Sequence, residues 1–240
     1  MRKSNGIIVR AVKYGESSLI LEVLTEHDGL SSFIVSGVRK KKKNTASLYH
    51  PMQQLDIVHY PAKGESLARI KEVKLTKHYE NLLSDVPSTA LANFLIECVQ
   101  KVAKEKDIKS RFYSFLKDSL NYIDDNPRSV QNFHLYYITA LTELCGYEIE
   151  NNYSESTPYF DLRSGSFVPH EVPIDGFHPS TLTGELLSTF INNEWESVQS
   201  LSLSKDVRYD YIEMMLLYFQ YHVPGFTRPK SLDVFKVVFG

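Results

Sequence analysis

The chain has 240 residues, 42% of them hydrophobic and 23% charged, with a formal net charge of −2. That balance excludes a mostly disordered, collagen-like or coiled-coil chain and leaves enough mass for a sizeable core. No run of ~18 apolar residues occurs, which excludes a membrane-spanning helix. The N-terminus, Met1-Arg2-Lys3-Ser4-Asn5-Gly6, leads into a short apolar run, Ile7-Ile8-Val9, that Arg10 breaks. It lacks the longer apolar region and the small-residue cleavage site of a secretory signal, so the chain reads as cytoplasmic. Cys98 and Cys145 fit a reducing compartment and supply no disulfide framework.

Charge divides unevenly. Residues 1–80 carry 14 Lys+Arg against 8 Asp+Glu, and the remaining 160 carry 13 against 21. A basic first part suits a polyanion, and an acidic remainder suits scaffold or protein contacts; drifting solubility charges would give the same totals. The asymmetry is sharpest at Arg39-Lys40-Lys41-Lys42-Lys43, an unbroken cationic run. Such a run repels itself and belongs in an exposed loop, either as a solvated face or as a nucleic-acid arm.

In chain order, strand-like segments occupy residues 6–13, 17–24, 30–38, 53–60 and 67–75. In the second, Leu19, Leu21 and Val23 share one face opposite Glu22. In the third, Phe33 and Val35 oppose Ile34 and Val38, so both faces are partly apolar. Gly-bearing turns separate the segments, and the longer gap at 39–52 holds the basic run. Five strands with a longer connection after the third match an OB-type Greek-key barrel; SH3-like barrels give much the same signal. OB barrels hold oligonucleotides with basic groups along the backbone and rings against bases. Arg10, Lys13, Tyr14, Arg39, Lys40, Lys41, Lys42 and Lys43 are the candidates here. Tyr14 beside Gly15 equally suits turn packing, and Phe33 suits the core.

From Pro87 the period lengthens to that of a helix. Leu91, Leu95, Cys98 and Val102 form one stripe, and Phe112, Phe115, Leu116 and Leu120 a second. Asn126-Pro127 interrupts; Ser129 is placed to cap a third helix that Gly146 closes. Residues 147–180 lose the period, and Tyr159-Phe160-Asp161 with Gly165-Ser166-Phe167-Val168 suggests a short hairpin. Leu182, Leu186, Leu187 and Phe190 mark a fourth helix. Ser204 caps a fifth with Val207, Tyr211, Met214, Met215 and Tyr218 inward, and Pro229 introduces a last short one. The expected class is α+β and multidomain: a barrel over 1–80, helical parts over 81–146 and 181–240, and the hairpin insertion over 147–180.

Nucleophile-elbow, phosphate-loop, dinucleotide and zincin motifs are absent from the sequence. Asp124-Asp125 before Asn126-Pro127 reads as a helix terminus rather than a metal pair. Cys98 and Cys145 read as small core residues, and Trp195 as core or interface mass.

Gly6-Ile7-Ile8-Val9-Arg10, Tyr14-Gly15-Glu16-Ser17-Ser18-Leu19-Ile20-Leu21, Leu24-Thr25-Glu26-His27-Asp28-Gly29 and Ser36-Gly37-Val38-Arg39-Lys40 resemble, in order and spacing, the opening of the RecO family of bacterial DNA repair proteins. Leu144-Cys145-Gly146-Tyr147 and Lys230-Ser231-Leu232 resemble that family's later signals. The resemblance implies a recombination mediator rather than an enzyme. It implies an OB domain and a helical domain, binding of single- and double-stranded DNA, and annealing of complementary strands at the nucleoid. It further implies work with RecR to load a RecA-type recombinase onto strands coated by single-stranded-DNA-binding protein, with no cofactor. The acidic, apolar-ended tail of that coating protein would dock on the helical part, with Lys101, Lys104, Lys109 and Arg111 as candidate contacts or as ordinary surface cations. Many family members bind zinc through two Cys-x-x-Cys pairs after the Gly-Tyr signal. Residues 151–172 hold no cysteine, so a metal-free remnant hairpin packed by Tyr159, Phe160 and Phe167 is expected. An OB-containing adaptor that binds protein without touching DNA is the alternative.

Overall fold

The computed structural model describes residues 1–38, 48–62, 67–103, 109–128 and 130–239. The expected strands form as β1 (Arg2–Tyr14), β2 (Ser18–Thr25), β3 (Gly29–Val35), β4 (Gln54–Tyr60) and β5 (Ala68–Leu75). They close into a barrel in the order β1-β2-β3-β5-β4. All neighbours pair antiparallel except β3 and β5, which run parallel through Phe33↔Ala68 and Ile34↔Arg69. This is the OB topology, with closure removing the sheet edges.

Alternation sorts the strand residues. Ile8, Leu21, Val23, Phe33, Val35, Leu55, Ile57 and Ile70 fill the barrel. Val38 joins them, against the expectation that it opposes Phe33 and Val35. The strand stops at Val35, and Gly37, at φ 77°, breaks the alternation and turns Val38 back inward. In β1 the register jumps between Ile8↔Val23 and Arg10↔Glu22, so Val9 is the extra residue of a bulge. Ile7 and its partner Leu24 point away from the interior by alternation, yet both are fully buried. Two helices cover them: α1 (Val86–Val102) packs on β1, and α2 (Lys109–Asp125) packs on β1, β2 and β3. Each such aliphatic side chain contributes about 1.5–3 kcal/mol when removed from water.

The cover is anchored at both ends. Asp85 caps α1 by accepting from the Ser88 amide at 2.9 Å, with Pro87 in the first turn. At the end of α2 the buried Asp124 carboxylate accepts from the amides of Asn81 and Leu82 at 2.8 and 2.9 Å, and Lys77 lies 3.6 Å away. Gln54 donates to Asn121 and to Tyr79, and the Tyr79 hydroxyl donates to the Met52 carbonyl. Asp124 therefore ties the last turn of α2 to the strand-to-helix link.

The barrel with α1 and α2 is one compact unit, Met1–Asp125; Asn126–Gly240 is the other. In the second, α3 (Phe133–Leu144), α4 (Thr181–Asn192) and α6 (Lys205–His222) pack on one another. Helix α3 starts at Phe133 with Asn132 at its N-cap; Ser129 lies outside the described residues. It ends as expected at Gly146, at φ 76°, where the Tyr147 and Gly146 amides bond to the Thr142 and Glu143 carbonyls. The hairpin is β6 (Tyr159–Asp161) with β7 (Ser166–Val168). Phe160 and Phe167 are buried 5.4 Å apart, with Tyr218 and Tyr153 against them, while Tyr159 is half-buried. Gly184 admits the hairpin: a Cβ there would meet the Pro158 carbonyl oxygen at 2.2 Å. A short helix that the sequence reading lacked, α5 (Trp195–Val198), seats Trp195 edge-on to Phe133 at 5.0 Å. Ser204 caps α6 as expected, and α7 (Ser231–Phe239) ends the described chain. No helix among the described residues is long and apolar enough to cross a membrane.

Two predictions follow from buried titratable groups. Burial works against the Asp124 charge, but the Leu82, Asn81 and Glu80 amides and Lys77 outweigh it and hold the carboxyl below its ordinary 3.8. Its stabilisation is present above that value and is lost as pH falls through the lower folded one. Asp124→Ala should cost about 2–4 kcal/mol at pH 7 in urea unfolding, and the gap should narrow as pH falls below 3.8. An unaltered midpoint contradicts the anchor. His134 is pushed down to about 3 by burial and then by the Arg208 charge. The unfolded chain takes up a proton below 6.5 that the folded chain refuses, so stability falls with pH until about 3. Fluorescence of the single Trp195 should show a shallower decline for His134→Gln between pH 6.5 and about 4. Equal slopes contradict it.

Candidate nucleic-acid interface

The helical cover stops at a polar border. Arg10 faces outward beside Glu22, its Nη1 3.3 Å from Glu22 Oε1, and Gln100 near the end of α1 donates to the other carboxylate oxygen at 3.3 Å. Beyond this border the outer face of the barrel is at least half-exposed among the described residues. The register carries one outward row across all five strands: Val12↔Ile20↔Ile34↔Arg69↔Tyr60. Val12 is 41% and Tyr60 47% exposed, and Ile20 and Ile34 are half-buried. Tyr14, 55% exposed, extends the same face of β1, with exposed Lys13 between it and Val12. The Arg69 guanidinium is exposed and donates to Ser36 Oγ at 3.1 Å.

Leaving such side chains in water is unfavourable unless something occupies the face. With Tyr14 beside it, the row offers two phenol rings, aliphatic surface and a guanidinium that no carboxylate among the described residues holds in an ion pair. Rings and aliphatic groups accept the flat faces of bases, and cations accept phosphates.

The expected site residues fall into three groups. Tyr14 stands on the open face; Lys13, opposite Leu19, alternates to the other face of β1 and is exposed beside it. Arg10 borders it, with its charge already opposed by Glu22. Residues 39–43, the cationic run, lie outside the described residues; the last residue before them, Val38, is buried in the barrel end. Among the helical candidates, Lys101 lies 3.7 Å from Glu97 one turn earlier and is largely buried. Arg111 is exposed on α2, Lys109 begins that helix with its side chain undescribed, and Lys104 is outside the described residues. No group of three or more His, Cys, Asp or Glu among the described residues could hold a metal ion. Asp124, with its carboxylate engaged by backbone amides, is structural, and burial raises the Cys98 thiol well above its ordinary value.

The sequence reading missed Tyr60, Arg69, Val12 and Ile34 as partners in one row. A trace was present in β3, where Ile34 places an aliphatic residue on the polar side of the strand. Its meaning depends on the parallel pairing with β5, which joins residues 35 apart.

Comparison with known proteins agrees with this architecture. Residues 1–79 match the family model "Recombination protein O N terminal", and residues 83–233 match "Recombination protein O C terminal". The chain is 30% identical to the DNA repair protein RecO of Christiangramia forsetii, over 99% of this chain and 98% of that protein. It is 28% identical to that of Flavobacterium psychrophilum, over 99% and 98%, and 26% identical to that of Phocaeicola vulgatus, over 100% and 99%. With both family models matched along the barrel and the helical region, the chain belongs to the RecO family of DNA repair and recombination proteins.

Proposed function

We propose that this chain is a recombination mediator that binds single- and double-stranded DNA through its barrel and promotes annealing of complementary strands. With RecR it helps load a RecA-type recombinase onto strands coated by single-stranded-DNA-binding protein. The observation that carries the reading is the uncovered outward row, ending in Tyr60 and flanked by Lys13 and Tyr14. Bases stack on the rings of Tyr14 and Tyr60, while Lys13, Arg69 and the 39–43 run follow the phosphates. Phosphate contacts carry no base information, so sequence preference is small. Annealing follows because one cationic surface lowers the repulsion between two strands.

The domain assignment proposed with this reading is the DNA-binding barrel over 1–80, helical parts over 81–146 and 181–240, and a zinc-free remnant over 147–180. The coating protein's acidic tail docks on the helical part near Lys104, Lys109 and Arg111; Lys101, opposed by Glu97, contributes least. The mediator itself turns over no substrate and needs no nucleotide.

Fluorescence anisotropy with a labelled oligo-dT, followed across salt concentrations, tests the DNA contact. If four cations of the 39–43 run engage, log K falls against log[salt] with a slope about 3 units shallower after Lys40–Lys43 are changed to Ala. Tyr14→Ala/Tyr60→Ala should weaken binding about tenfold or more at every salt concentration, leaving the slope unchanged. Binding that is absent in the parent chain, or indifferent to both sets of changes, contradicts the proposal and favours a protein-binding barrel.

A further inference from the structure

The second unit carries a surface of opposite character. Residues 126–240 hold seven Lys+Arg against fourteen Asp+Glu. Within residues 129–204 the contrast is one cation, Arg163, against ten carboxylates. In this unit a groove of about 540 Å³ opens between α3, α4 and residues 148–149. Tyr136, Phe190 and Ile149 give it walls, and Glu143, Glu148 and Glu194 stand on it, all three exposed. None of these three carboxylates is held by a cation among the described residues.

We propose that this groove docks a basic segment of a partner protein, with an arginine laid on the Tyr136 ring and its neighbours paired to the three glutamates. The occupant is argued from charge and shape together. A nucleic-acid backbone is repelled by three uncompensated carboxylates, so the groove is no extension of the barrel's DNA face. A purely apolar segment would strip water from those carboxylates without replacing it. A guanidinium does both tasks the groove sets, because it stacks on a ring and donates to carboxylates in its plane. The phenol responds to the same field: burial raises the Tyr136 hydroxyl, and Glu194 and Glu196 push it further up. The ring is held in place from behind, 5.7 Å from Trp195 and 6.5 Å from Phe133. Its wall is therefore preformed, which lowers the ordering cost of binding.

The test uses the full chain and a fluorescein-labelled peptide, Gly-Arg-Gly-Arg-Gly-Arg-Gly, by anisotropy at low salt. Saturable binding is expected to weaken about tenfold in Glu143→Gln/Glu194→Gln. It should hold in Glu155→Gln/Glu185→Gln, which removes the same charge from exposed positions that do not line the groove. Trp195 fluorescence checks that each variant keeps its fold. Equal weakening in both variants reduces the effect to the general acidic field and overturns the proposal. Absence of saturable binding to the parent chain overturns it as well. Neither result bears on oligo-dT binding by the barrel, so the two proposals fail separately.

Discussion

The partial cover of one barrel face decides what this molecule can do. A closed five-stranded sheet has an inner face that fills itself and an outer face that must be dealt with residue by residue. Here β1 and β2 put Ile7 and Leu24 outward at one end, and α1 and α2 bury them. At the other end Val12, Tyr14, Ile20 and Ile34 also face outward, and among the described residues Val12 and Tyr14 stay exposed and the two isoleucines half-exposed. The boundary is drawn by a bulge, an ion pair and a glutamine: Val9, Arg10 with Glu22, and Gln100. The Asp124 carboxylate, gripping the backbone at 81–82, holds the cover where it is.

Electrostatics divides labour along the chain in the same sense. Residues 1–125 carry twenty Lys+Arg against fifteen Asp+Glu, while the rest is acidic by seven charges. That balance is the one the proposed function needs, a first unit that suits a polyanion and a second that does not. Under the proposed function, that separation suits a chain holding DNA on one surface and recruiting protein on another. The open tyrosine row and the acidic groove are the local forms of the same contrast, one suited to phosphates and bases, the other to guanidinium.

Much of the fold was legible because local periodicity reports burial. All five strands overlap the segments marked by alternation, β4 and β5 lying wholly inside theirs, and Pro87, Ser204 and Gly146 mark helix ends by chemistry readable within four residues. What was not legible depends on pairing at long range. Val38 turns inward because Gly37 breaks the alternation, which a period of two cannot foresee. Tyr60 and Arg69 meet only because β4 pairs with β5, and Ile34 joins them only through the parallel β3–β5 step. Asp124 looked like a plain helix end; its amide partners lie more than forty residues earlier. The groove walls come from Tyr136 and Phe190, on helices separated by the whole hairpin insertion. Family resemblance supplied the function class directly, but the row of side chains that would carry it required the sheet register.

The proposed function requires nucleic acid to lie along the uncovered barrel face. Ultraviolet crosslinking of the full chain to oligo-dT, with the adducts mapped by peptide mass spectrometry, tests it most directly. Adducts are expected on the peptides that contain Tyr14 and Tyr60. Adducts confined to residues 126–240, with the barrel peptides unmodified, would contradict it.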